Sequence, residues 1–319
     1  MSTAIPGAGR RRAVTAGCLG VIAAATLAAT SGCSTASSAA TPAAGGSRVI
    51  QVVAAENFWG SIASQLGGTH VKVASLISNP DTDPHSYEPT TADGRAVSVA
   101  DYVISNGIGY DAWAGQLLSA NPMPHRTALN VGTVLGKKVG DNPHQWYSAD
   151  SLHQVVDRIT ADYKTMDPAD AAYFDAQQQT FLTRTLAPYD QLEAEIEARY
   201  AGTPIGASES IVTPLAESLG LKLLTPESFL DAESEGSDPT AADKAAIDRQ
   251  IATRQIKVYV FNTQNSDPDV MAQVSAAKAQ GIPVAQVTET LAPANDSFQD
   301  WQVQQLQGIE SALKQATGT

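Results

Sequence analysis

The chain has 319 residues, 43% of them hydrophobic, and 33 acidic residues against 20 basic ones give a formal net charge of −13. That length suits one large or two medium domains with a sizeable core. The acidic balance argues against nucleic acid as a partner and is compatible with a cation ligand.

The first 47 residues stand apart. Arg10, Arg11 and Arg12 precede an apolar, alanine-rich stretch from Ala13 to Ala29, which ends in small residues at Thr30-Ser31-Gly32-Cys33. The stretch is too short for a comfortable bilayer span and reads as a secretory signal peptide over 1–32. Its Gly-Cys ending resembles a bacterial lipobox, with Thr30 where leucine usually stands. Cys33 would then be the first mature residue and, once acylated, the anchor to the outer face of the cytoplasmic membrane. Removing the three arginines leaves 17 basic residues against 33 acidic ones, a net charge near −16. Residues 33–47, rich in Ser, Thr, Ala, Pro and Gly, read as a flexible spacer. Cys18 and Cys33 are the two cysteines of the sequence, so the folded part has no disulfide and relies on core size. Any metal site within it must use His, Asp, Glu or water.

Order is expected from the β-branched run Val49 to Ala54, a buried strand. A helix from about Asn57 to Leu66, Gly67-Gly68 and a strand from Val71 to Ile77 follow. Next come a helix from about Thr91 to Ala100 and a strand from Tyr102 to Ser105. Strands alternating with helices through short turns indicate a parallel, doubly wound α/β sheet, placing a first α/β lobe at 48–167. From Pro168 to Tyr200, Phe174, Phe181, Leu182, Leu186, Tyr189, Leu192 and Ile196 recur at helical spacing. No glycine interrupts them, so one long connecting helix is expected over 168–201, kinked at Pro188. A second α/β lobe, 202–319, follows. Its strands are expected at Gly202 to Ala207, Lys222 to Leu224, Val258 to Phe261 and Val284 to Val287. Helices are expected at Pro239 to Thr253 (capped by Ser237 or Asp238), Val270 to Gln280 and Phe298 to Gln315. The fold class is therefore α/β: two doubly wound lobes of parallel sheet flanked by helices, joined by one long helix. A ligand would sit in the cleft between them, at the carboxyl ends of strands.

Chemistry concentrates in two short motifs, Asp83-Pro84-His85-Ser86-Tyr87-Glu88-Pro89 and Asn142-Pro143-His144-Gln145-Trp146. A proline before each histidine fixes one backbone angle and pushes the residue ahead of it out of helical geometry. Each imidazole is thereby held on a stiff, non-helical segment. Imidazole is the commonest metal ligand, and the chain has five histidines. Two matching settings suggest a metal site; the plain alternative is a pair of surface-loop histidines.

A site for zinc, manganese or iron(II) needs about four nitrogen or oxygen donors. The second lobe has no histidine, so its donors must be carboxylates at strand ends. Glu209 stands at a strand-to-helix turn after Ile205-Gly206-Ala207, and Glu289 ends the strand Val284 to Val287. Each has an ordinary alternative: Glu209 could simply favour a helix start, and Glu289 could be a solvated loop residue.

With these residues assembled, the chain resembles the metal-binding lipoproteins of bacterial ABC importers for zinc, manganese or iron, from about Val49 to Leu313. Both histidine motifs match that family's pattern. Its third ligand precedes a Gly-Leu pair by eleven residues, which falls on Glu209 ahead of Gly220-Leu221. Its fourth, an acidic residue in a short Thr-acid-Ser segment, falls on Glu289, a glutamate where aspartate is usual. The resemblance implies a ligand set of His85, His144, Glu209 and Glu289, holding one divalent ion. It also implies capture and delivery to a membrane permease by an exported, lipid-anchored monomer, with no catalysis. The histidine-rich loop of many zinc members is absent, and His70 and His153 match no ligand motif. Two imidazoles and two carboxylates form a hard set that suits Mn²⁺ or Fe²⁺; manganese is favoured, although Zn²⁺ binds such donors more tightly in vitro. Binding should weaken below about pH 6, because both imidazoles must be neutral to ligate. The rivals are an exported metallohydrolase, which would need an open metal position and a base, and an adhesin or structural lipoprotein stapled by its metal.

Overall fold

A computed structural model of the protein describes residues 48–318 except 266. The expected leader, the spacer and Cys33 lie outside the described residues.

In the first lobe β1 (Ile50–Glu56), β2 (Val71–Ile77), β3 (Tyr102–Ser105) and β4 (Thr127–Asn130) form an all-parallel sheet in the order β2-β1-β3-β4. Helices α1 (Asn57–Gly67), α2 (Thr91–Ser98), α3 (Ala112–Ala120), α4 (Val131–Val134) and α5 (Ala149–Met166) connect and flank it. The central strand β1 is buried along nearly its whole length, as a strand covered on both faces must be. Helix α2 starts at a capping box: Thr90 receives the backbone N–H groups of Ala92 and Asp93, and Asp93 receives that of Thr90.

The second lobe repeats the pattern with β5 (Pro204–Ala207), β6 (Lys222–Leu223), β7 (Val258–Asn262) and β8 (Val284–Val287), parallel in the order β6-β5-β7-β8. It carries α8 (Val212–Ser218), α9 (Glu227–Ser234), α10 (Ala241–Ala252), α11 (Pro268–Ala279) and α12 (Phe298–Thr317). In both sheets the strand order reverses about the first strand of the lobe, which creates a crevice at the carboxyl ends of the strands. Between the lobes run α6 (Ala171–Thr180) and α7 (Ala187–Tyr200), linked by a single π turn at Phe181–Thr185.

Two expectations need correction. The break in the connecting helix falls one turn before Pro188, which sits in the first turn of α7. A proline ring clashes with the carbonyl four residues back, here Arg184, and the wider π turn relieves that clash. The cap of α10 is Thr240, whose side chain accepts the Asp243 N–H. Ser237 and Asp238 precede it. Helix α5 was not anticipated at all, although Leu152, Val155, Val156, Ile159 and Tyr163 form its buried face at helical spacing.

The lobes share one hydrophobic core. A contiguous cluster runs from Ile50 and Phe58 through Trp146, Tyr147, Leu186 and Tyr189 to Phe298, Trp301 and Leu313. Helix α12 belongs to the second lobe by sequence, yet it packs on α7 and reaches α1 of the first. Side-chain bonds reinforce this seam: Gln65 Nε2 donates to Gln299 Oε1 at 3.0 Å, and Leu291 N–H donates to Asn57 Oδ1 at 3.2 Å.

Candidate metal centre

His85 lies in the loop between β2 and α2, and the residues around it fix its ring. Asp83 folds the loop by accepting the His85 N–H at 2.8 Å and the Ser86 hydroxyl at 2.7 Å. This is the turn-organising role that an Asp before Pro-His suits. Trp113 Nε1 donates to the Pro84 carbonyl at 3.1 Å. The Tyr110 ring meets the His85 imidazole edge-on at 4.6 Å. His85 Nε2 is buried and has no hydrogen-bond partner.

His144 is fully buried, in the segment between α4 and α5. Its partner Asn142 donates from Nδ2 to the Ser210 carbonyl at 2.7 Å. That bond identifies the other end of the amide as oxygen, and this oxygen receives the His144 backbone N–H at 2.9 Å and faces Nδ1 at 3.1 Å. The proton of the neutral ring therefore sits on Nδ1, and Nε2 presents a lone pair to the cleft. Burial lowers the His144 pKa despite the nearby Glu289 carboxylate, favouring the neutral ring.

Glu289 follows β8 in a turn held from several sides. Its N–H donates to Gln264 Oε1 at 2.5 Å. The adjacent Thr288 carbonyl receives the Tyr147 hydroxyl at 2.7 Å, and the Thr288 hydroxyl receives Trp301 Nε1 at 2.8 Å. Its carboxylate Oε1 lies 3.3 Å from His144 Nε2 and 3.7 Å from His85 Nε2. Donor atoms of His85, His144 and Glu289 all fall within 4.8 Å of one another. Two ligands each about 2.1 Å from a tetrahedral ion stand about 3.4 Å apart, so these separations suit a shared ion. The electrostatics suit it too. A lone pair on His144 Nε2 faces a carboxylate oxygen across 3.3 Å, and only a proton or a cation between them makes that arrangement favourable.

Glu209 lies at the turn from β5 into α8, 3% exposed, and lines the same cleft of about 490 Å³ as His85 and Glu289. Its carboxylate is not among the three converging groups. Asn262 Nδ2 donates to its Oε1, and Asn265 Nδ2 donates to its Oε2 at 3.1 Å. Burial, followed by the Glu289 charge, raises the Glu209 pKa. Burial acts on Glu289 in the same sense, but the two imidazoles outweigh it and hold its pKa down. Of the two acids, Glu209 is therefore the more readily protonated. A divalent cation in the cleft would offset both charges.

The structure thus brings three of the four expected donors together and sets the fourth beside them, tied to two amides. The other histidines stand elsewhere. His70 lies in a 3₁₀ turn, 3.1 Å from Asp170, with its ring tilted against Tyr173 at 4.2 Å between centroids. His153, on α5, is 3.6 Å from Asp190. Asp167 also approaches the His70–Asp170 pair, in a partly exposed group away from the cleft. Sequence reasoning missed the end of β7 and the loop after it, where Asn262 and Asn265 hold the Glu209 carboxylate and Gln264 holds the backbone of the Glu289 turn. Its position at the carboxyl end of the strongest strand of the second lobe was the available signal.

Two α/β lobes joined by a helix, with imidazole and carboxylate donors in the cleft, define a two-lobed metal-binding protein. The chain belongs to the family described as zinc-uptake complex component A, periplasmic, whose profile matches residues 52–312. It is 25% identical over 245 residues to the manganese-binding lipoprotein MntA of Bacillus subtilis, covering 73% of this chain and 77% of that one. It is 21% identical over 225 residues to the high-affinity zinc uptake system protein ZnuA of the same organism, covering 64% and 69%. Among solved structures, a manganese-bound periplasmic metal-binding protein variant from Candidatus Liberibacter asiaticus superposes with a TM-score of 0.71. It shares 20% identity and covers 83% of this chain and 99% of that one.

Proposed function

We propose that this protein is an extracytoplasmic binding protein that captures one divalent transition-metal ion in its cleft and delivers it to an ABC permease. The observation that carries this reading is the convergence of His85, His144 and Glu289 with both Nε2 atoms turned toward one carboxylate oxygen. Glu209 completes the set from the second lobe. Neutral imidazoles and carboxylates are borderline-to-hard donors, and carboxylates can bind through both oxygens, so Mn²⁺ is the favoured cargo, with Zn²⁺ and Fe²⁺ alternatives. The relatives named for manganese and for zinc agree with a single divalent-ion site of this kind. Glu289 in place of the usual aspartate adds one methylene, which brings its oxygen to the imidazoles from a turn fixed by Tyr147, Trp301 and Gln264.

We further propose that 1–32 is removed on export and that acylated Cys33 anchors the protein, with 33–47 as tether. Among the described residues no helix is long and apolar enough to cross a membrane. Transport, not catalysis, suits a site with four candidate protein ligands, which leave little room for a reacting water.

Equilibrium dialysis with Mn²⁺ and Zn²⁺, read by elemental analysis, tests the site. Wild type should bind one equivalent. His144→Ala should lower affinity at least about 100-fold, since a buried ligand and its orienting partner are both lost. Unchanged stoichiometry and affinity in that variant would remove the cleft from the reading. Unchanged cellular Mn and Zn uptake after gene deletion under metal starvation would remove transport.

A further inference from the structure

The loop after β7 supplies no ligand in the reading above, yet it touches nearly everything that does. Gln264 is its centre. Its Oε1 accepts the N–H groups of Glu289 at 2.5 Å and Thr290 at 3.1 Å. Its Nε2 donates to the Thr290 hydroxyl at 2.9 Å and, across the cleft, to the Pro80 carbonyl in the first lobe. Gln264 N–H in turn donates to Asn262 Oδ1 at 3.0 Å, and Asn262 Nδ2 holds Glu209. One uncharged side chain therefore fixes the turn bearing Glu289 with its oxygen. With its nitrogen it grips the loop that leads through Asp83 to His85. Its main chain steadies the amide that holds Glu209.

The geometry points to Gln264 as the positioning residue that couples closure of the His85 loop to retention of the ion. This rests on the metal-capture reading of the cleft. A cationic side chain here would neutralise Glu289 and Glu209 and compete with the ion; an amide orients them and leaves their charge for the cargo. The single link to Pro80 is a main-chain contact, so it depends on where the loop lies and not on which residue occupies position 80. When the loop swings away, Nε2 loses this partner while Oε1 still holds the Glu289 turn. Release then opens from the first-lobe side, and the carboxylates stay in place.

The test compares wild type with Gln264→Leu, a variant of similar size that keeps neither face of the amide, and with Thr290→Val, which removes one partner of Nε2. Mn²⁺ association and chelator-driven release are followed by stopped flow. Amide hydrogen exchange over residues 78–90 is followed in the Mn²⁺-loaded protein. Losing buried hydrogen bonds of ordinary strength should speed release about 10- to 30-fold in Gln264→Leu and about two- to fivefold in Thr290→Val. Association should stay within about twofold, and exchange in the 78–90 loop should rise at least about tenfold. A residue that merely supports the fold would move the metal-free melting temperature and slow association as well. Release and loop exchange within twofold of wild type overturn the proposal. If Gln264→Leu does not fold, Thr290→Val decides by the same release criterion. His144→Ala separates the two readings: if it also binds Mn²⁺ like wild type, the metal site itself is wrong, whereas its failure beside an unaffected Gln264→Leu removes only the coupling role.

Discussion

Asn142 shows how one residue sets the chemistry of another. It spends its amide nitrogen on the Ser210 carbonyl of the second lobe, and its oxygen receives the His144 ring at Nδ1. The tautomer and direction of a buried imidazole thus depend on a side chain that contacts no ion. Asn142→Ala should leave the ring in place by packing against Trp146 and Tyr110, but it frees the tautomer. Outer partners of this kind are typically worth 10- to 100-fold in metal affinity, so a loss of about tenfold or more is expected in a competitive Zn²⁺ titration with a chromophoric chelator. An unchanged affinity would show that packing alone orients His144. At this scale the sequence was informative: proline before each histidine indicated a stiff, non-helical setting, and in both motifs the Asp or Asn two places earlier accepts the histidine N–H.

Among the elements, the connecting helix carries a buried acid. Glu193 on α7 is 7% exposed and accepts the Tyr189 hydroxyl at 2.7 Å. Burial pushes its pKa up to about 7, above the usual carboxylate range, although the Tyr189 bond acts in the opposite direction. The folded state therefore binds a proton more tightly than the unfolded chain. The stability this proton contributes is present at acid pH and is lost as pH rises from about 4.5 through 7, where a buried carboxylate must ionise. Glu193→Gln keeps an oxygen for Tyr189 and removes the titration. It should raise the melting temperature at pH 8, corresponding to about 1–3 kcal/mol, and leave it nearly unchanged at pH 5. Equal effects at the two pH values would assign the change to packing. The same helix shows what the sequence left unread: Pro188 announced a break, but only the clash with the carbonyl of Arg184 placed it at the π turn. Helix α5 also went unread. Its apolar stripe is clear in the sequence, at Leu152, Val155, Val156, Ile159 and Tyr163, and follows the Asn142 to Trp146 motif directly.

At the scale of the whole molecule, the continuous core sets how far the lobes can move. Trp146 and Tyr147 of the first lobe pack into the same cluster as Trp301 of α12 and Tyr189 of α7. Close-packed interiors resist continuous deformation, so release should proceed by loop movement and a slight lobe rotation. Small-angle scattering with and without Mn²⁺ should show a radius of gyration changing by less than about 1 Å, well short of a wide hinge opening. A change of several ångströms would contradict a shared core. The cleft mouth is also acidic, with Asp81, Asp83, Glu233, Asp238, Asp267 and Asp269 along its lining. Mn²⁺ association should therefore slow as ionic strength rises, while chelator-driven release changes little.

The sequence by itself determined the two-lobe α/β pattern, the strands β2, β3 and β8 to the residue, the stiff, non-helical setting of both histidines and the four candidate donors. These are local: hydrophobic period, proline geometry and side-chain chemistry act within a few residues of chain. The tertiary structure alone decided which donors meet. His85 and His144 are 59 residues apart in the chain, and Glu289 lies another 145 beyond, so their convergence is a property of how two sheets pack on one core. It also decided that Glu209 rests against Asn262 and Asn265, beside the other three donors. The role of Gln264 was equally invisible, because its meaning comes from a carbonyl 184 positions away that only the packing of the two lobes brings within reach.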